Sequence, residues 1–470
     1  MNAKSLHAAV AAAMLALNAT AQDVVAVKAG KLLTITGPTI EQGVVLIENG
    51  RIQKIAKAGE IEIPWTAKVV DASDKVVMPT WVLAHSQSGQ RGFNENMQNV
   101  PWLSVADAID PASVFFEDAL RNGVGTIHVL AGNATLLGGL GMVVRPAGRT
   151  VEDMAVAANT GMKLSLLAQG GGRLQQIRKL RRALEDVREY LADFDRRKAE
   201  FEKEREAGAI PADKQWTEEY DRQKKAACEL VQKKLPGWLF VPSVAEVDEA
   251  LRLAQQLDLV LVLGQNIDEA VPMLRKYGKP VVLDETIEYY ETDEETKVER
   301  KLCSAKLLAD AGVPFALSLG TAGPTSYPWW QLGTCVRNGV DRKTALEALT
   351  IVPARLLHLE DQIGSLAEGK LANLQVLSGD PLQATSWVET VLLEGEVVYE
   401  RSKDQRLQYL FAAEQARLKK AAGPEAPKDG AAPEGAAKPG DAKPGEAKAG
   451  APAPTPGGEG GTGTPKDGAR

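Results

Sequence analysis

Residues 76–87 read VVMPTWVLAHSQ, and this stretch decides the fold. Apolar residues run into Pro79, continue as a short apolar strand, and stop at His85, which Ser86 and Gln87 follow. A buried parallel strand has this pattern, and barrel proteins keep their working residues at the carboxyl ends of such strands. The stretch therefore predicts a buried strand that carries His85 as a candidate functional residue.

The composition is that of a large globular protein. The chain has 470 residues, of which 44% are hydrophobic, enough for one barrel domain and a smaller companion. A formal net charge of -7 does not favour a nucleic-acid partner, and we expect none. Only four histidines occur, whereas a zinc or iron hydrolase usually binds its metal through several.

The N-terminus has the pattern of a signal peptide. Lys4 supplies a positive end, residues 8–17 form a short apolar core, and Ala19-Thr20-Ala21 matches an A-x-A cleavage site. The apolar core is too short to span a bilayer, and no other segment is a candidate. We therefore expect residues 1–21 to be removed from a soluble exported protein, periplasmic or extracellular, without a transmembrane segment.

Short strand-like runs separated by turns occupy residues 22–78 and return at 358–400. These two segments are expected to form one composite β-sandwich. Residues 401–422 have the pattern of a helix. Residues 423–470 consist largely of Pro, Gly, Ala, Lys, Glu and Asp without aromatics, so we predict a disordered tail.

Between residues 79 and 357, strand-like runs alternate with stretches of helical spacing, such as 244–257 and 343–357. The strand-like runs lie at 124–129, 162–167, 239–241, 259–263, 280–283 and 314–318. Alternation of this kind implies βα units and a parallel sheet. We therefore predict an α/β fold with a (β/α)₈, TIM-like barrel.

Residues 171–235 interrupt the barrel pattern with an insertion. Apolar residues including Leu180, Leu184, Val187 and Leu191 recur at helical spacing among many charges, and a second helix is expected at 216–234. The favoured interpretation is a helical hairpin that lies over the barrel with a solvated charged face. The alternative is a docking arm that forms a homo-oligomer.

The opening stretch resembles the strand-one signature of the amidohydrolase superfamily, which reads apolar run, Pro-Gly, apolar residues, an acid, one residue and His-x-His. Pro79 and His85 match that signature. Thr80 stands where the family has Gly, Leu83 where it has Asp, and Gln87 where it has the second His.

Other segments extend the resemblance over roughly residues 23–400. Residues 47–52 read IENGRI and resemble the first sandwich of the family, while residues 364–370 and 388–400 resemble its closing segment. Residues 133–141, NATLLGGLG, resemble a stretch of the imidazolonepropionase-like branch. The resemblance implies the barrel and composite sandwich, and a metal-dependent hydrolysis of C–N bonds other than peptide bonds.

The resemblance also implies metal ligands: His-x-His after strand one, histidines after strands five and six, and an Asp after strand eight that serves as general base. Some members add a Lys or Glu at strand four, where Lys163 lies early in the strand. His85 is the one matching metal ligand, so we expect the metal site to be largely lost and no cofactor to be bound. A ligand pocket is expected at the matching positions, His85, Gln87, Ser243, Gln265 and Ser318.

Asp284 and Glu285 are candidate catalytic residues because they follow a strand-like run, where a barrel enzyme keeps its chemistry. Adjacent residues on a strand face opposite ways, so at most one of them points inward. The favoured alternative is a carboxylate that caps the following helix.

The remaining histidines and some aromatic residues have structural interpretations. His128 lies inside a strand and is expected to be a hydrogen-bonded core residue, and His358 is expected at the surface. Tyr327, Trp329 and Trp330 follow strand eight and are expected to line a pocket or cover the barrel mouth.

Three cysteines occur, at 228, 303 and 335. An odd count in an exported protein leaves at least one thiol free or paired between chains. Two interpretations remain open. Cys303 and Cys335 form a disulfide, or all three cysteines are buried, inert thiols.

Three functions remain. The first is a non-catalytic member of the superfamily that binds a small molecule or a partner. The second is an active C–N hydrolase with a rebuilt or metal-poor site, for which zinc is the expected metal. The third is a cell-envelope structural protein that assembles through the helical insertion.

Overall fold

The computed structural model describes residues 24–92, 98–168, 171–292, 295–320 and 323–422. The predicted signal peptide and the predicted tail at 423–470 lie outside the described residues. Contacts divide the chain into one unit that ends at Phe411 and a second that begins at Ala412. Of the second unit, the described residues are 412–422, the C-terminal part of a helix.

The strands of the described chain, in order, are β1 (Val24–Leu32), β2 (Ile40–Glu48), β3 (Arg51–Lys57), β4 (Lys68–Pro79), β5 (Trp81–Ser86), β6 (Val124–Val129), β7 (Leu137–Val144), β8 (Ala155–Ser165), β9 (Gly237–Val241), β10 (Leu259–Leu263), β11 (Val281–Leu283), β12 (Glu288–Thr292), β13 (Glu299–Cys303), β14 (Phe315–Leu317), β15 (Leu374–Leu377), β16 (Val388–Leu393) and β17 (Glu396–Glu400). The helices are α1 (Val114–Arg121), α2 (Val151–Met154), α3 (Arg173–Glu206), α4 (Lys225–Val231), α5 (Val244–Gln256), α6 (Val271–Tyr277), α7 (Ser304–Asp310), α8 (Pro328–Arg337), α9 (Arg342–Glu347), α10 (Ile351–Leu356) and α11 (Gln405–Ala422). None of these helices has the length and apolar character that crossing a bilayer requires.

The first sheet has seven strands in the order β17-β16-β15-β4-β1-β2-β3. β15 pairs antiparallel with β4, placing Val376 opposite Val77, so the returning C-terminal segment completes the N-terminal sheet. Val27 and Leu374 are among the apolar side chains buried in its core. The composite sheet predicted from the two separate segments is therefore confirmed.

The second sheet has eight strands in the order β14-β11-β10-β9-β8-β7-β6-β5 and forms a nearly closed barrel. The predicted α/β barrel is confirmed, but an all-parallel sheet is wrong at one strand. β7, formed by residues of the glycine-rich stretch, runs antiparallel to both β6 and β8. The β6–β7 connection is too short for a helical crossover, which a parallel partner would need.

The barrel closes through a seam between β5 and β14 that contains no strand-to-strand ladder. The Val82 amide donates to the Leu349 carbonyl at 2.8 Å, and the Leu317 amide donates to the Ala348 carbonyl at 2.9 Å. The one long helix predicted at 343–357 is therefore two, α9 and α10. Carbonyls that would continue the helix bond to the barrel strands instead, and Thr350 between them has φ −131° and ψ −87°.

The insertion packs one face of α3 into the main core. Ile177, Leu180, Leu184 and Leu191 are buried there. The second helix, α4, begins at Lys225, later than predicted. The segment before α4 is held by side-chain packing instead, as the ring of Trp216 meets the rings of Phe194 and Phe201 edge-on at 5.8 and 5.5 Å.

A pair of leucines on α3 tests this packing. Leu184 is 0% exposed and Leu174 is 70% exposed. We expect Leu184→Ala to lower the free energy of unfolding by about 2–5 kcal/mol, because it leaves a cavity in the core. Leu174→Ala, the matched control, is expected to change it by less than about 0.5 kcal/mol. Chemical denaturation measures both, and equal effects would show that α3 does not pack on the barrel.

Candidate functional site

An irregularity in β5 brings His85 toward the barrel interior. Leu83 pairs with Ile127 and Ser86 pairs with Val129, so β5 holds one more residue than β6 between these pairs. An extra residue of this kind is a β-bulge, which commonly re-aims a side chain. His85 is buried at this position, at the carboxyl end of the first barrel strand.

Lys163 reaches the same point from β8. It is fully buried, and its Nζ lies 2.7 Å from the Nε2 of His85. The amine also lies 5.6 Å from the ring centroid of Phe240 on β9. In the described part of the chain, no carboxylate lies within ion-pair distance of this amine.

Burial sets the protonation of both groups. It lowers the pKa of Lys163 to about 7, while the negative charge of Asp284 opposes the shift. Burial also holds the pKa of His85 well below its usual value, and the charge of Lys163 lowers it further. His85 is therefore a neutral imidazole whose Nε2 shares a hydrogen bond with the Lys163 amine.

His128 supports the segment that precedes His85. Its Nδ1 donates to the Ala84 carbonyl at 3.0 Å, and its Nε2 accepts from the Thr160 hydroxyl at 2.8 Å. Its ring lies edge-on to the indole of Trp238 at 4.5 Å, and burial lowers its pKa to about 3. The prediction of a hydrogen-bonded core histidine is confirmed. His358 is exposed, as predicted.

Asp284 and Glu285 follow β11 and lie in different surroundings. Asp284 is half-buried; burial raises its pKa, and the charge of Lys163 opposes that rise. Glu285 is exposed, and its pKa is raised first by burial and then by the charge of Asp284. The helix cap favoured from the sequence is wrong, because the next element is the strand β12. Asp284 is thus the carboxyl whose charge acts on the Lys163 amine, without an ion pair between them.

The structure spreads the other predicted pocket residues around the barrel rim. Gln87 and Ser243 are half-buried and Gln265 is exposed. The Ser243 hydroxyl donates to the Glu246 carboxylate at 2.7 Å, which commits it to the start of α5.

Ser318 is buried, and its hydroxyl has no hydrogen-bond partner in the described chain. Its backbone carbonyl accepts from the Gln331 side chain at 3.2 Å, and the same Gln331 nitrogen donates to the Glu285 carbonyl at 2.7 Å. Gln331 therefore ties together the ends of β11 and β14 at the rim.

The side chains that the structure describes do not fit a divalent metal. Over the described residues, no three His, Cys, Asp or Glu side chains come close enough together to hold a metal ion. The Nε2 of His85 is already hydrogen-bonded to the Lys163 amine. A single imidazole cannot hold zinc in a stable four-coordinate site.

Sequence reasoning noted Lys163 but did not place it in the site. The available signal was a charged residue between Met162 and Leu164 in an apolar strand. Lysine is almost never fully buried unless it is paired. A lysine in such a run therefore marks an interior position with a specific partner.

The aromatic residues after strand eight line a different cavity. Tyr327 and Trp329 line a cavity of about 780 Å³ that includes neither His85 nor Lys163, and Trp330 is not among its lining residues. The three cysteines are free and buried, so no disulfide joins Cys303 to Cys335.

Lys163 should make stability depend on pH. Between pH 7 and the ordinary lysine pKa of 10.5, Lys163 keeps its proton in the unfolded chain and has lost it in the folded chain. The free energy of unfolding is therefore expected to rise with pH over this interval, by up to about 1.4 kcal/mol per pH unit from this group. Lys163→Met should remove that component. The free energy of unfolding of the variant should therefore exceed that of the native protein most near pH 6.5, and the difference should shrink toward pH 9.5.

Melting temperatures measured from pH 6.5 to 9.5 test this expectation. Lys276→Met, a change at an exposed lysine, is the matched control and should follow the native profile. Parallel profiles for native protein and Lys163→Met would contradict the assignment of a buried amine with a lowered pKa.

Comparisons with known proteins agree with this architecture. The Amidohydrolase family profile matches residues 299–399, which run from β13 to the end of the closing strands. The crystal structure of an amidohydrolase from Thermotoga maritima MSB8 aligns with a TM-score of 0.69 at 26% identity, covering 80% of this chain and 100% of that chain.

A curated 5-methylthioadenosine/S-adenosylhomocysteine deaminase from Moorella thermoacetica is 32% identical over 76 residues, which is 15% of this chain. That match spans only 18% of the deaminase, so it says nothing about shared activity. The family profile and the alignment along the whole Thermotoga structure agree with the barrel and the composite sheet. The chain belongs to the amidohydrolase superfamily.

Proposed function

We propose that this chain is a metal-independent member of the superfamily that binds a small ligand at the carboxyl ends of its barrel strands. The contact of 2.7 Å between His85 Nε2 and Lys163 Nζ carries the proposal. It commits the strand-one imidazole to a protein amine. Binding a divalent ion there would require breaking that bond and recruiting ligands that the described residues do not bring together.

The groups around this contact are suited to hydrogen bonding. Lys163, with a pKa of about 7, carries a proton part of the time at neutral pH and can donate to a ligand oxygen. The charge of Asp284 acts on this amine, and the Ser318 hydroxyl, just after β14, has no partner in the described chain. These groups favour a small polar ligand that offers both acceptor and donor atoms, such as an amide.

A metal-free hydrolase is the second candidate, and the raised pKa values of Asp284 and Glu285 favour it. A carboxyl whose pKa is raised can serve as a general acid or base. In that case Asp284 would take a proton from a water that attacks the carbonyl carbon and would pass it to the leaving nitrogen as the C–N bond breaks. Protonated Lys163 would donate a hydrogen bond to the carbonyl oxygen.

Export belongs to this proposal as well. It is supported by Lys4, the apolar core at 8–17 and the A-x-A site that ends at Ala21. N-terminal sequencing of protein expressed with its full chain should give Gln22 as the first residue. Assembly through the insertion is not part of the proposal, because the apolar stripe of α3 is buried within the chain.

Metal content tests the main proposal. Protein purified without chelators should hold well under one zinc, iron or manganese ion per chain by elemental analysis. Gln87→His should leave that result unchanged, because Lys163 still occupies the Nε2 of His85. His85→Asn and the matched exposed control His358→Asn should not differ in metal content. Stoichiometric metal that is lost only in His85→Asn would overturn the proposal.

Hydrolysis after chelation separates the two candidates. Chelator-treated protein is offered a hydantoin, an imidazolone and a dipeptide, and product is followed by chromatography. The binding proposal expects no turnover. Turnover that survives chelation and falls by about a hundredfold or more in Asp284→Asn, the scale of a general acid or base, would favour the hydrolase.

A further inference from the structure

The cavity of about 780 Å³ lies against β5, beside the barrel seam, between α1 and the chain that follows β14. Trp81 and Leu83 of β5 form its buried floor. Its walls come from α1, the start of α8, the chain between β15 and β16, and the first residues of α11. We call this cavity the seam groove. Its size is within the range of small-molecule sites.

Aromatic rings form two walls of the seam groove. The rings of Tyr327 and Trp329 stack with centroids 6.0 Å apart and planes inclined by 27°. Trp387 lines it from the β15–β16 connection and is 46% exposed. The Trp387 indole N–H donates to Glu389 at 2.7 Å, which fixes the ring and satisfies its one polar atom. The ring faces that neighbouring groups leave uncovered are therefore the parts of these residues that remain for a ligand.

The charge of the seam groove is positive. Its charged lining residues are Arg121, Arg401, Arg406 and Asp118. Arg121 is committed to Asp404, Asp118 and Glu117. The lining itself carries three arginines and one aspartate, while Asp404 and Glu117, which pair with Arg121, lie outside it.

Two of these arginines are available to a ligand. Arg401 lies over the Trp387 ring at 5.2 Å and makes no ion pair within the described chain. Arg406 contacts Asp118 at 3.3 Å in an exposed pair, which contributes little to stability and exchanges readily with another anion. A guanidinium stacked on an indole keeps its N–H edge free for a carboxylate.

We propose that the seam groove is a second ligand site, separate from His85 and Lys163, that binds a small planar aromatic anion. The ring of the ligand stacks on the aromatic walls, and its carboxylate bonds to Arg401 and Arg406. The stacked rings provide the apolar surface and the guanidinium groups select the charge. Neither a neutral ring nor a cation satisfies both features.

The probe pair 1-naphthoate and 1-naphthylmethylammonium tests the proposal, because the two share a ring system and differ in charge. Isothermal titration with the full chain should show binding of the naphthoate, weakened by added salt. It should show no binding of the ammonium compound. Arg401→Gln should weaken naphthoate binding about tenfold, as expected for losing one charged hydrogen bond. Arg401→Lys keeps the charge and loses the planar group over the indole. Its affinity for naphthoate should lie between those of the native protein and Arg401→Gln.

Matched controls lie elsewhere on the surface. Arg252→Gln removes an exposed arginine of α5, and Trp65→Ala removes a tryptophan that is 96% exposed. Both should leave naphthoate binding unchanged. Trp387→Ala should weaken naphthoate binding strongly, and circular dichroism checks that this variant is folded. If Trp387→Ala does not fold, Arg401→Gln tests the same site.

Three results would overturn the proposal. They are no naphthoate binding, equal binding of the two probes, and equal binding by native protein and Arg401→Gln. A groove that rejects naphthoate while the chain sediments as a dimer would point to a protein interface instead.

Discussion

A hydrogen bond between two buried bases joins two strands of the barrel near the carboxyl end of β5. Lys163 and His85 both lose their affinity for protons on burial, and their contact is stable only while at most one of them is charged. The bulge in β5, the support from His128 and the half-buried Asp284 all serve this contact. In this arrangement Lys163 and His85 share one hydrogen bond inside the barrel.

The sequence predicted the sheets well because the apolar runs of a barrel are local signals. The run at 124–129 became β6 without a change of bounds. Prediction from the sequence failed where hydrogen bonds between distant segments replace those between neighbours in the chain. Carbonyls at 348 and 349 bond to barrel strands, which divides one expected helix, and the short connection after β6 turns a glycine-rich loop into an antiparallel strand. No local pattern in the chain encodes either effect.

The site was harder to predict than the fold for a related reason. Motif positions identified His85 from one strand, but its partner comes from β8, far along the chain. Spacing on one strand cannot show which side chain will cross the barrel to meet it. Asp284 was singled out because it ends a strand, whereas the effect of the Lys163 charge on its pKa depends on the folded barrel. Superfamily membership describes the scaffold, and the interior side chains determine what that scaffold can do.

The junction between the two sheets has a consequence for how the gene can vary. β4 ends at Pro79 and β5 begins at Trp81, so Thr80 alone separates a strand of the sandwich from a strand of the barrel. Side chains alternate between the two faces of a strand. Deleting or inserting one residue here would therefore move the buried side chains of one strand to the opposite face relative to the other strand. The connection at 58–67 carries no such constraint. Among related chains we expect length differences to collect in that connection and to be absent at Thr80.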